Sequence, residues 1–106
     1  MIQATFIVND SDQFIGFHMN GHANFDEHGK DIVCAGASAV AYGIFNSVLA
    51  LTNNKPEFEI EDGLMDVKNI STRDDVQLLM KSLKVSLETI EAEYNEYISI
   101  SKRRGE

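Results

Sequence analysis

The chemistry this chain can do is concentrated in one segment, Gly21-His22-Ala23, then Gly29-Lys30-Asp31-Ile32-Val33-Cys34-Ala35-Gly36-Ala37-Ser38. Cys34 is the only cysteine, and His22 and His28 are two of three histidines. A thiolate attacks carbonyl carbons and a thiol does not. An unperturbed cysteine is ionised only to roughly a few per cent at neutral pH. A helix N-terminus and a neighbouring imidazolium both raise that fraction. Cys34 falls in the first turn of an expected helix, and His22 ends an expected strand. A loop between them could bring the imidazole over the helix end. The pair would then attack an amide carbonyl and protonate the leaving amine. Backbone N–H groups near Cys34 would serve as oxyanion donors.

Other residues in the segment read two ways. Asp31 at the helix N-cap would accept a free N–H; oriented toward His22, it would stabilise an imidazolium. Ser38 lies one turn beyond Cys34 on the same face and either hydrogen-bonds near the site or bonds back to its own helix. By composition alone, a lone cysteine in an apolar helix is more often buried filler than a nucleophile. His18 and His28 read as structural or solvated. His18, His22, His28, Asp31 and Cys34 are all metal-ligand types, but their spacing matches none of the compact structural-zinc patterns. No metal and no cofactor is expected.

The elements that must position these residues follow from pattern. Residues 2–8 alternate as a strand, Asn9-Asp10-Ser11-Asp12 is a turn, and 13–20 is a second strand. Gly21 to Lys30 is a polar loop of the kind that serves as a lid, with Gly21 and Gly29 at its ends. It is expected to move without substrate and to order with it. An uncharged helix of about 32–53 follows and stops before Pro56, the only proline. Glu57 to Glu61 alternates, Asp62-Gly63 turns, and 64–70 returns as a strand. Ser71 or Thr72 caps a second helix, with Asp74 and Asp75 in its first turn. Its apolar stripe is Val76, Leu79, Met80, Leu83, Leu87, Ile90 and Tyr94, and residues 97–101 form a closing strand. The order ββ-α-ββ-α-β predicts an α+β fold, a mostly antiparallel sheet with two long helices, as one domain over 1–106.

Bulk properties narrow the partners. Seventeen acidic and nine basic residues give a net charge of −8, and the only basic run is Lys102-Arg103-Arg104. Direct nucleic-acid binding is not expected, and a basic protein or peptide is the natural partner. No residue from Ile32 to Asn54 is charged, which is long enough to span a bilayer. Its glycines, serines and asparagines argue instead for a central helix buried on most sides, so no membrane is expected. Met1 leads directly into a strand with no basic n-region or cleavage site, which points to the cytoplasm. The helix has apolar residues on more faces than one sheet can cover, which points to a homodimer. A non-catalytic module that binds a basic partner through its acidic strand is the alternative to an enzyme.

The segment quoted above resembles the signature of the bacterial ribosomal-processing cysteine proteases, the Prp family. The resemblance runs over nearly the whole chain, including the Asn9-Asp10 turn, the alternating acidic strand and the stretch from Val85 to Asn95. It implies an endopeptidase that removes a short N-terminal extension from a large-subunit ribosomal protein, number twenty-seven. It implies Cys34 as nucleophile and His22 as general base, with Gly21, Asp31 and Ser38 as supporting motif members. It further implies an α+β homodimer without cofactor. Cleavage in the family follows aromatic residues, so an apolar pocket near the Gly21–Lys30 loop is expected, with Phe25 and Phe17 lining it.

Overall fold

A computed structural model describes residues 1–27 and 30–105. The expectations placed on His28 and Gly29 lie outside the described residues. The element order is β1 (Ile2–Val8), β2 (Phe14–Asn20), α1 (Ile32–Leu51), β3 (Glu57–Glu61), β4 (Leu64–Lys68), α2 (Asp74–Tyr94) and β5 (Ile98–Arg104). The fold is α+β, as the pattern predicted. One five-stranded sheet runs β3-β4-β2-β1-β5. All pairs are antiparallel except β1 with β5.

Alternation decides which face each strand buries. Ile2, Ala4, Phe6 and Val8 point inward with Phe17, Met19, Met65, Val67 and Ile98. Phe6 is the centre, its ring tilted against Phe14 at 5.2 Å and Phe17 at 4.9 Å. Both helices cover this face, α1 through Val33, Ala37, Ala41, Phe45 and Val48, and α2 through Val76, Met80, Leu83 and Leu87. The other face carries a polar row beside Ile7. The row reads Glu59, Asp66, His18, Thr5, Ser101 in register. His18 is a structural residue of this row, 3.2 Å from Asp66.

Several boundaries differ for physical reasons. Helix α1 ends at Leu51, because the Thr52 hydroxyl and N–H both turn back onto the Val48 carbonyl. It is fully buried along one stripe rather than on most sides, and Ile32 (59% exposed) and Leu51 (73%) are uncovered at its two ends. Strand β4 stops at Lys68, where Asn69 turns left-handed at φ 59°. The N-cap of α2 is Arg73, without a side-chain cap bond, not Ser71 or Thr72. The Ser71 hydroxyl instead accepts the Arg73 N–H. Strand β5 extends to Arg104 because it pairs with β1 along its whole length. That places the only basic run beside the first turn, where Lys102 meets Asp12 at 2.9 Å and Arg104 meets Asp10 at 3.8 Å.

Candidate active site

The end of β2, the start of α1 and the β3–β4 turn enclose a cleft of about 470 Å³. Cys34, His22, Gly21, Asp31 and Ser38 all line it. The sheet order explains how they meet. β2 lies between β1 and β4, so its C-terminal end is flanked by Met1 and by the Asp62-Gly63 turn.

Cys34 sits in the first turn of α1, half-buried and bordering the cleft. It packs against the core on one side and borders the cleft on the other. The Ala23 N–H donates to its Sγ at 3.2 Å. The sulfur thus has a fixed N–H donor beside it at the N-terminal end of α1.

Asp31 is the N-cap of α1. One carboxylate oxygen accepts the N–H groups of Val33 and Cys34, each at 3.0 Å. The other accepts the Phe25 N–H at 3.0 Å, which ties the loop to the helix. Burial would raise its pKa. The hydrogen bonds from Cys34, Phe25 and Asp26 outweigh that and hold the carboxyl below its ordinary value. The cap geometry has a consequence for catalysis. The Cys34 N–H is committed to Asp31, and the Ala35 N–H to the Asp31 carbonyl at 3.0 Å. Neither is free for an oxyanion in this arrangement. Side-chain donors that border the cleft include Asn20, Asn24, Ser38 and Tyr42.

His22 is exposed at the mouth of the cleft. Its ring rests against Gly63: a Cβ built there would come within 2.8 Å of Nε2. Gly63 also needs its backbone freedom, at φ +73°. Its carbonyl accepts the Gly21 N–H at 3.0 Å, which joins the turn to the histidine's own segment. Gly21 is constrained in the same two ways. It lies at φ +91°, and a Cβ would collide with the Met1 carbonyl.

The two aromatic expectations are corrected. Phe17 is only 1% exposed, because inward alternation places it on Phe6 in the core. Phe25 is not among the residues lining this cleft and packs edge-on against Tyr94 at 5.6 Å and Tyr97 at 5.1 Å. The apolar wall is made instead by Ile2, Met19, Ala35, Tyr42, Leu64 and Met65. Tyr42 was findable, since Cys34, Ser38 and Tyr42 repeat at four-residue steps on one helix face. Leu64 and Met65 were not, because only the sheet order brings β4 to this place. Among the described residues, no group of three His, Cys, Asp or Glu side chains is arranged to hold a metal ion.

Comparison with known proteins agrees with this geometry. The family model described as "Cysteine protease Prp" matches residues 1–99. The ribosomal processing cysteine protease Prp of Staphylococcus aureus is 41% identical over 104 residues, covering 95% of this chain and 98% of the relative. The protein of the same name from Bacillus subtilis is 40% identical over 108 residues, covering 95% and 96%. A crystal structure of the S. aureus protease in complex with a covalently linked product peptide superposes with a TM-score of 0.91 at 41% identity, covering 96% of this chain and 99% of that one. With a thiol, an imidazole and a capped helix end on one cleft, and with relatives matched over nearly its full length, this chain belongs to the Prp family of cysteine proteases.

Proposed function

We propose that this protease removes the N-terminal extension of a large-subunit ribosomal protein precursor, number twenty-seven, during ribosome assembly in the cytoplasm, with Cys34 as nucleophile and His22 as base. The carrying observation is that both side chains border one cleft at the N-terminus of α1, with an N–H already donating to the sulfur. The relatives' names as ribosomal processing proteases support the substrate class.

In this reading the Cys34 thiolate adds to the scissile carbonyl carbon, and the carbonyl electron pair moves to oxygen. Collapse breaks the C–N bond, and the His22 imidazolium gives its proton to the departing amine. A thioester on Cys34 remains. His22 then takes a proton from water, whose oxygen displaces the sulfur and regenerates the thiolate. Met19, Leu64 and Met65 supply an apolar wall for the side chains near the cleaved bond. Asp31 acts through others, by holding the helix end and the loop together.

A homodimer through α1 is part of the proposal, because this uncharged helix leaves Ile32 and Leu51 exposed at its two ends. Sedimentation as a monomer at micromolar concentration would refute it. The alternative of a purely non-catalytic module falls with membership of a protease family, and the acidic surface becomes a means of attracting a basic substrate. Mass spectrometry of the candidate precursor, before and after incubation, tests the substrate. Two fragments summing to the precursor plus one water are expected; an unchanged precursor mass would remove this substrate.

A further inference from the structure

Strand β3 is the outer edge of the sheet, and all five of its residues are exposed. A two-residue turn, Asp62-Gly63, joins it to β4, with Glu61 opposite Leu64. In such a hairpin the residues flanking the turn share both hydrogen bonds, and every second pair along the ladder does the same. Glu61, Glu59 and Glu57 therefore bond inward to β4. Phe58 and Ile60 direct their N–H and C=O groups outward, to the free edge. Their side chains are also uncovered, at 57% and 40% exposure, with Phe58 leaning on Phe45 at 4.9 Å. An edge with free backbone groups and apolar side chains invites another strand.

The edge is continuous with the cleft. β3 ends at Glu61, and the next two residues, Asp62 and Gly63, form the cleft wall that carries His22. A peptide leaving the cleft past this turn meets the β3 edge directly. Charge then selects the occupant. Glu57, Glu59 and Glu61 stand on one face of the strand, and the whole chain carries −8. A second copy pairing edge to edge would place glutamate opposite glutamate, which is unfavourable.

We propose that the free edge of β3 is an accessory docking strand, which binds an extended segment of the substrate bearing lysine or arginine at every second position. The segment adds as a sixth strand, bonded to the backbone of Phe58 and Ile60. Its basic side chains share a face with the three glutamates, and the residues between them cover Phe58 and Ile60. The proposal rests on the proteolytic reading above and adds where the enzyme reads the substrate beyond the cleaved bond.

The test uses two synthetic peptides with the same cleavable centre, flanked on both sides by alternating lysine and valine or by alternating glutamine and valine. The parent should favour the lysine peptide by about tenfold in kcat/KM at low salt, a preference that shrinks at high salt. A Glu57→Gln/Glu59→Gln/Glu61→Gln variant should lose the preference. Ile60→Pro, which removes one outward N–H, should raise KM for both peptides by several-fold. In Cys34→Ala, the amides of Phe58 and Ile60 should exchange more slowly when the lysine peptide is present. Equal handling of the peptides by the parent, a preference that survives in the triple variant, or unprotected amides would each overturn the docking strand. If the parent cleaves neither peptide, the proteolytic reading fails on its own, since amide protection still reports docking.

Discussion

Cys34 is held by two neighbours: the Ala23 N–H donates to its sulfur, and its own N–H donates to the Asp31 carboxylate. Asp31 also accepts the N–H groups of Val33 and Phe25. Its charge is spread into backbone donors and fixes the geometry around the thiol. Its carboxyl is held below the ordinary value of 3.8, so its stabilisation is complete above that pH and is lost as pH falls through the depressed value. Asp31→Asn should therefore cost about 1 kcal/mol at neutral pH, with the gap from the parent closing in acid. Urea unfolding from pH 7 to pH 2 measures this, and a gap that is constant with pH would contradict it. Gly63 is the second residue that acts through a neighbour. Gly63→Ala meets both a left-handed backbone and the His22 ring, and should destabilise by about 1–3 kcal/mol. It should also lower kcat at a temperature where the variant is still folded, and unchanged kcat would show that the ring does not need this seat.

At the scale of elements, the site is an agreement between the end of β2, the first turn of α1 and the β3–β4 turn. Part of this was legible. The period of two in residues 2–8 and 57–61, the single turn from Cys34 to Ser38 and Asp31 before an uncharged run all report local backbone geometry, which depends on near neighbours in sequence. The roles of Phe17 and Phe25 were not legible. Each is decided by which element packs on it: Phe6 in one case, and Tyr94 with Tyr97 in the other. Gln77 teaches the same lesson. It looks like a polar interruption of the α2 stripe, yet it is buried and bonded to the Phe14 N–H and carbonyl, at 2.8 and 2.7 Å, and to the Ser71 carbonyl at 2.9 Å. It fastens α2 to the start of β2. Gln77→Leu leaves those groups buried without partners and should cost about 2–3 kcal/mol. A loss below half a kilocalorie in thermal or urea unfolding would show that water replaces the bonds.

Across the whole molecule, the basic run and the acidic strand lie at opposite edges of the sheet. The basic run is paired to the first turn, whereas the acidic strand β3 lies next to the cleft. One end of the molecule thus combines the thiol, the imidazole, an apolar wall and a negative field. The protease reading requires that this end do its work through a single sulfur. Cleavage of the precursor peptide by the parent and by Cys34→Ala, at equal concentration and with masses followed over time, tests it most directly. Removing a nucleophile should lower the rate by at least about a thousandfold while thermal unfolding stays close to that of the parent. Cleavage at the same bond within a few-fold of the parent's rate would contradict it.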